Sequence, residues 1–103
     1  MQDAQRAIQT LRARAKELNL DPERIGVIGF SAGGHLCSTV STHFEAAQLD
    51  SADPIRKVSS RPDFSILCYP VIAFDKPYTH RGSQRNLIGE SPEPELVKLL
   101  SNE

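Results

Sequence analysis

The stretch IGVIGFSAGGHL, residues 25 to 36, decides the fold of this chain. It begins as an apolar run rich in β-branched residues and then places a serine between two glycines, in the segment GFSAG at residues 29 to 33. A continuous apolar run of this kind is typical of a strand in a parallel sheet, and we predict a strand over residues 25 to 29. The residues that follow predict a helix over 33 to 44.

The spacing G-x-S-x-G is typical of a serine at a sharp turn from a strand into a helix. At such a turn the serine backbone is strained, and side chains two residues before and after it would collide with the neighbouring strand and helix. Gly29 and Gly33 would remove these collisions, so the hydroxyl of Ser31 would stand exposed above the sheet edge. The pattern predicts Ser31 as a nucleophile and the N–H of Ala32, at the helix N-terminus, as a hydrogen-bond donor to an oxyanion.

The composition narrows the class of protein. A chain of 103 residues fits one domain with a modest core, and its 12 basic and 13 acidic residues nearly balance. This balance gives no electrostatic reason to expect a nucleic acid or an anionic membrane as partner. No run approaches the roughly 20 apolar residues of a membrane span. The first 20 residues are amphipathic and charged, unlike a signal peptide, so the compartment stays open: cytoplasmic, or periplasmic or secreted with an upstream signal.

The rest of the chain predicts further helices and strands around this turn. Their order argues for an α/β architecture with right-handed crossovers. Two strands alone leave unpaired edges and too little core, so we expect residues 1–103 to be part of a larger domain, completed by its remainder or by an oligomer. The first predicted element is a helix over 3 to 19, capped by Asp3, with one apolar stripe formed by Ala4, Ala7, Ile8, Leu11, Ala15 and Leu18. The other predicted elements are a strand over 64 to 72, loops over 45 to 63 and 73 to 92, and a helix over 93 to 100 capped by Ser91.

Three segments carry a resemblance to a known family. With DPERIGVIGFSAGGHL, RPDFSILCYPVI and NLIGESPEPELVKLLSNE, the chain resembles the α/β-hydrolase esterases related to acetyl-xylan esterases and other carbohydrate acetylesterases. The resemblance implies a fragment of a three-layer α/β-hydrolase fold, with parallel strands flanked by helices. It implies Ser31 as the acyl-accepting nucleophile, Ala32 N–H as one oxyanion donor, and a small-molecule or polysaccharide ester, such as an acetylated plant polysaccharide, as substrate.

The same resemblance implies that part of the catalytic machinery lies outside these residues. In this family an oxyanion loop comes well before the nucleophile, and the catalytic acid and histidine come after it. We expect the oxyanion loop to precede residue 1 and the acid and histidine to follow residue 103.

The histidines within the chain are poor candidates for a general base. His35 lies four residues after Ser31, on the first helical turn, and we expect it to pack against neighbours. His43 lies about three turns along the same helix, too far to reach the serine. His80 is in a loop, where a surface position is expected.

The acids are weaker candidates still. We expect Asp63 to cap locally or to pair with Arg61 or Arg24. Asp75 follows the second strand at its carboxyl end, where α/β proteins collect site residues, and is a minor candidate for an acid that lines the site. The segment DKPYTHRGSQRN, residues 75 to 86, could line a substrate channel or be a solvated loop.

The sequence predicts no metal and no cofactor. Cys37 and Cys68 form no C-x-x-C pair, and we expect two buried free thiols. The three histidines are not at zinc-finger spacing, and Gly33-Gly34 is a weak signal for phosphate binding.

Two classes of function remain open. The first is a serine ester hydrolase, with a peptidase or thioesterase of the same fold as the runner-up, because the turn does not determine the leaving group. The second is a truncated, non-catalytic piece that acts as an interaction module.

Overall fold

The computed structural model describes all residues, 1 to 103. It is an α/β structure in which two neighbouring parallel strands are joined through a helix, a fragment of the predicted fold class. No helix is both long enough and apolar enough to cross a membrane. The elements in chain order are α1 (Gln2–Ala13), β1 (Gly26–Phe30), α2 (Ala32–Thr42), a short 3-10 helix (Pro54–Lys57), β2 (Phe64–Cys68), α3 (Arg81–Ile88) and α4 (Pro94–Leu100).

The two strands pair in register, with Gly26 opposite Phe64 and Phe30 opposite Cys68. The predicted first strand is confirmed within one residue, whereas β2 ends at Cys68 and not at residue 72. The reason is the backbone of the next two residues. Tyr69 has φ 37°, outside the extended region, and Pro70 has no N–H to donate to a ladder.

The core lies on one face of the strand pair. Ile8 of α1, Ile25 and Val40 of α2 form the buried cluster, and Ala4 and Val27 pack against it. Side chains alternate between the faces of a strand, so the opposite face carries the other set of residues. Those side chains are half exposed: Ile28 58%, Phe30 53%, Phe64 54% and Ile66 49%.

Within residues 1 to 103, helices pack against only one face of this strand pair. No element of residues 1 to 103 lies over the face formed by Ile28, Phe30, Phe64 and Ile66, which we call the open sheet face.

α1 ends at Ala13, six residues before the predicted end, and Met1 takes the N-cap position expected of Asp3. The chain then tightens into turns, in which Leu20 N–H donates to the carbonyl of Ala15 (2.8 Å) and Asn19 adopts φ 54°.

The face that α1 buries also differs from the predicted apolar stripe. Gln5 and Gln9 are buried, because their side-chain amides donate to the carbonyls of His43 (2.7 Å) and Val58 (3.0 Å). Leu11, predicted in the stripe, stays 40% exposed.

The second half of the chain contains more helix than the sequence predicts. The predicted loop over 73 to 92 includes α3, because the Nδ1 atom of His80 accepts from the N–H of Ser83 and caps that helix. The loop over 45 to 63 includes the 3-10 helix, capped by Asp53. α4 begins at Pro94, with Glu93 as N-cap, so the predicted Ser91 cap is wrong.

The cysteines are both free, as predicted. Cys37 is buried, whereas Cys68 at the end of β2 is only half-buried. Burial raises the pKa of the Cys37 thiol, which disfavours a reactive thiolate.

Candidate active site

Ser31 lies alone between the last residue of β1 and the first residue of α2. Its backbone has φ 51° and ψ −116°, a conformation that a serine adopts only under strain. The predicted strand-to-helix turn at Ser31 is therefore confirmed.

Hydrogen bonds hold the Ser31 backbone in this conformation. Its N–H donates to the carbonyl of Cys68 (3.0 Å), and its carbonyl accepts from the N–H groups of Val71 (3.2 Å) and His35 (3.1 Å). The segment after β2 thus wraps around the serine on one side, while the first turn of α2 fixes it on the other.

Two polar groups of the turn have no partner within the chain. The side chain of Ser31 makes no capping hydrogen bond, although serine at this position usually accepts from the helix. The N–H of Ala32 has no acceptor either, as expected for the first N–H of a helix. The turn therefore presents a free hydroxyl beside a free N–H at the positive end of a helix dipole.

The glycines around the serine do not act as the symmetric motif predicts. A Cβ on Gly29 would collide with the carbonyl of Gly33 and lie 2.7 Å from Cys37 Sγ, so close approach at Gly29 is confirmed. A Cβ on Gly33 would meet nothing within 4 Å, and the predicted collision there is wrong. The second tight position is Gly34, where a Cβ would lie 2.8 Å from the Cβ of Pro70.

Ser31 opens into a cavity of about 410 Å³, within the range typical of small-molecule sites. The cavity is lined by residues 70 to 73 and, together with the serine, by Tyr69, Tyr78, Thr79 and His80. The segment suspected of lining a channel, residues 75 to 86, thus contributes three of these residues.

His80 lies at this cavity, but its ring is occupied with capping α3. Its Nδ1 accepts from the N–H of Ser83 (3.1 Å), so the proton of the neutral ring is assigned to Nε2. A general base would need a free lone pair on Nε2, and this arrangement removes it. The chain therefore holds His80 as a donor and not as a base.

His35 packs into the structure, as predicted. It is buried, its Nδ1 donates to the carbonyl of Val71 (3.0 Å), and its ring lies edge-on to Phe74 at 5.0 Å. Burial lowers the pKa of His35, opposed by the bond to Val71. His35 therefore fixes the segment after β2 against α2 through its Nδ1 atom.

The remaining candidates lie away from Ser31. His43 stands at the far end of the eleven-residue α2, about 16 Å along the helix. Asp63 pairs with Arg12 (2.7 Å) instead of Arg61 or Arg24, and the same oxygen accepts from the N–H of Ile25 (2.8 Å). Asp75 is exposed, pairs with Lys76 (3.5 Å) and does not line the cavity.

Sequence reasoning singled out neither tyrosine of the cavity, although Tyr78 lies within the segment 75 to 86. Tyr69 directly follows the carboxyl end of β2, the position where parallel sheets place site residues, so its place in the sequence was a usable signal. Tyr78 lies in a loop with no periodicity, and only the fold brings it to Ser31. No group of three histidine, cysteine, aspartate or glutamate side chains is placed to hold a metal ion.

A solved structure has a similar fold. A crystal structure titled acetyl ester-xyloside bifunctional hydrolase, from Caldicellulosiruptor lactoaceticus, superposes with a TM-score of 0.89 at 53% identity. The match covers 97% of this chain and 36% of that one.

Two curated relatives are similar in sequence. The protein named endo-1,4-beta-xylanase B, from Butyrivibrio fibrisolvens, is 37% identical over 100% of this chain and 16% of its own length. The acetylxylan esterase of Xylanibacter ruminicola is 35% identical over 98% of this chain and 19% of its own length. The chain thus spans less than a fifth of each curated relative.

The BD-FAE family profile matches residues 1–101, nearly the whole chain. The α/β strand pair and the similarity to a hydrolase structure agree with this match. The chain belongs to the BD-FAE family.

Proposed function

We propose that residues 1–103 form the nucleophile-bearing segment of a serine ester hydrolase that cleaves short acyl esters, foremost acetyl groups on a carbohydrate. The observation that supports the proposal is the geometry of Ser31. It holds a strained backbone between β1 and α2, its hydroxyl has no partner within the chain, and it opens into a cavity. The names of the relatives supply the carbohydrate acetyl ester.

The proposed chemistry uses two adjacent groups of the turn. The Oγ of Ser31 attacks the ester carbonyl and passes its proton to a base, the alcohol leaves, and water then hydrolyses the acyl-enzyme. The free N–H of Ala32 donates to the negative oxygen that develops on the carbonyl. In this scheme the base, its acid and a second oxyanion donor lie outside residues 1–103, since the Nδ1 atoms of His35 and His80 both bond to backbone groups of the chain.

A chimera tests the proposal. The segment of the Caldicellulosiruptor lactoaceticus hydrolase that matches this chain is replaced by residues 1–103, and hydrolysis of p-nitrophenyl acetate is measured. We expect an active chimera, and a loss of kcat of at least about a thousandfold in Ser31→Ala. Ser91→Ala, an exposed serine outside the cavity, is the matched control and should keep full activity. A chimera whose activity survives Ser31→Ala would contradict the assignment.

A non-catalytic role is the second candidate, and the open sheet face favours it. A face of four half-exposed apolar side chains is what an interaction module would bury against a partner. The chimera separates the two candidates, because an interaction module would not restore Ser31-dependent hydrolysis.

A further inference from the structure

The cavity beside Ser31 is lined by two unusually exposed aromatic side chains. Tyr69 is 75% exposed and Tyr78 is 74% exposed, although both line the same cavity. Aromatic rings bury a large surface when a ligand covers them, and the hydroxyl can stay in water. These two rings are therefore the largest contact surfaces that the cavity offers to a ligand.

Both rings are held in place while exposed. Tyr69 is fixed by its unusual backbone (φ 37°), by the proline that follows it, and by the ring of Phe30 at 6.0 Å. The hydroxyl of Tyr78 donates to one carboxylate oxygen of Glu103 (3.2 Å), and Lys76 contacts the other (3.0 Å). A ligand that covers rings already held in this way loses less conformational entropy on binding.

We propose that Tyr69 and Tyr78 form a saccharide-binding pair at the Ser31 cavity, each ring packing against the C–H face of a pyranose unit. An acyl chain binds best in an enclosed apolar pocket, whereas these two rings are exposed to solvent and carry a hydroxyl group at the tip. A pyranose has the matching chemistry, with apolar C–H faces and hydroxyl groups around its rim. The Nε2–H of His80 supplies a polar group at the same cavity. The inference rests on the proposed function only for placing the ester at Ser31.

The chain offers a specific readout, because Tyr69 and Tyr78 are its only tyrosines and it has no tryptophan. Intrinsic tyrosine fluorescence of the 103-residue chain therefore reports on this pair alone. The probe is xylotetraose, with glycerol at equal mass as the solvent control. We expect a saturable change in fluorescence with xylotetraose and none with glycerol.

Paired substitutions to phenylalanine and to leucine distinguish the effect of a flat ring on binding from the effect of apolar volume alone. Binding of xylotetraose to the variants is followed by saturation-transfer NMR on the sugar protons. Tyr69→Phe and Tyr78→Phe should bind within about twofold of the parent, whereas Tyr69→Leu and Tyr78→Leu should weaken binding about five- to tenfold. Circular dichroism checks the fold of each variant. If Tyr69→Leu unfolds, Tyr78→Leu decides the outcome, since Tyr78 is exposed and its only side-chain partner is Glu103.

The proposal is overturned if xylotetraose gives no saturable signal, or if the leucine variants bind as well as the phenylalanine variants. Ser31→Ala should leave sugar binding intact. Sugar binding together with a chimera whose activity does not depend on Ser31 would therefore refute the proposed hydrolase and leave the tyrosine pair standing. Hydrolysis that depends on Ser31, in the absence of sugar binding, would refute the tyrosine pair and leave the proposed hydrolase standing.

Discussion

Gly29 and Gly33 flank Ser31 symmetrically in the sequence, but the structure gives them different surroundings. Gly29 faces the backbone of α2, so the strand and helix can approach only without a side chain there. A Cβ at Gly33, on the first turn of α2, would lie in open space. The spacing of a motif therefore does not reveal which of its glycines is sterically required.

Gly29→Ala should destabilise the chain by about 1–3 kcal/mol, because the new methyl group must displace the carbonyl of Gly33 and the Sγ of Cys37. Gly33→Ala is the matched control, and it should be neutral or stabilise by up to about 1 kcal/mol, as alanine favours helix. Urea unfolding followed by circular dichroism measures both. Equal effects of the two substitutions would show that the packing at Gly29 is not as tight as described.

His35 should make stability depend on pH. Because burial lowers its folded-state pKa, the unfolded chain binds this proton more readily. The contribution of neutral His35 is fully present above about pH 6.5, the ordinary histidine value. It is lost progressively as the pH falls below that value, and the loss levels off once the pH passes below the folded-state pKa.

Urea unfolding between pH 7.5 and pH 5.5 measures this dependence. The His35→Asn variant keeps a donor for the carbonyl of Val71 but does not titrate, and it should flatten the slope over this range. An unchanged slope would show that His35 does not cause the dependence.

At the scale of elements, α4 is fastened to α2 by the residue that follows its C-cap. The Nδ2 of Asn102 donates to the hydroxyls of Ser38 (2.9 Å) and Thr39 (2.8 Å), and its N–H donates to the carbonyl of Ile72 (3.0 Å). Its Oδ1 is buried without a partner, which offsets part of this gain.

Asn102→Ala should loosen α4 at a cost of about 1 kcal/mol, because two hydroxyls lose their donor. Limited proteolysis should then cut residues 89 to 100 several times faster than in the parent chain. Glu95→Gln, an exposed residue of α4 without an ion pair, is the control and should leave the cleavage rate unchanged. Equal rates for Asn102→Ala and the parent would show that other contacts hold α4.

The elements that were predictable are those whose signal is local. β1 and the start of α2 follow from an apolar run and a turn motif, and both lie within a residue of the prediction. α3 was missed because its only strong signal is a histidine cap, which sequence patterns rarely identify. The burial of Gln5 and Gln9 depends on carbonyls more than 30 residues away, so no local pattern could report it.

The candidate site divides in the same way. The position of Ser31, the free N–H of Ala32 and the packing of His35 were all predictable from the turn and the helix register. For Tyr78 and His80 the sequence left a substrate channel and a solvated loop both open, because a loop without periodicity brings them to the serine. The predicted roles of Ser31 and Ala32 in catalysis stay predictions.

At the scale of the whole molecule, the open sheet face should make the isolated chain associate with itself. Ile28 and Ile66 lie opposite each other on this face. The double substitution Ile28→Thr, Ile66→Thr keeps β-branched side chains but reduces the apolar surface, and should shift sedimentation toward the monomer. Leu49→Thr removes an even more exposed apolar side chain elsewhere (74% exposed) and should not shift the sedimentation. Identical sedimentation of both variants would exclude this face as the contact.

The isolated chain should also be a very poor esterase. It holds one oxyanion donor beside Ser31, and loss of the second typically lowers kcat about 10²–10³-fold. Without a base as well, the rate on p-nitrophenyl acetate should be close to background and unaffected by Ser31→Ala. A clear rate that disappears in Ser31→Ala would mean that a base exists within residues 1–103, with His80 the first residue to test.

The backbone angles of Ser31 also carry a consequence for handedness. A φ of 51° with a ψ of −116° is the mirror image of an ordinary extended conformation, so it would suit a D-amino acid or glycine. The L-serine keeps this conformation only because the neighbouring backbone holds it there. The conformation in turn sets the direction in which its Cβ points. Ser31→Gly should therefore yield a chain that is more stable by about 1–3 kcal/mol and unable to act as a nucleophile. The backbone conformation of Ser31 therefore lowers the stability of the chain and fixes the direction of the hydroxyl oxygen.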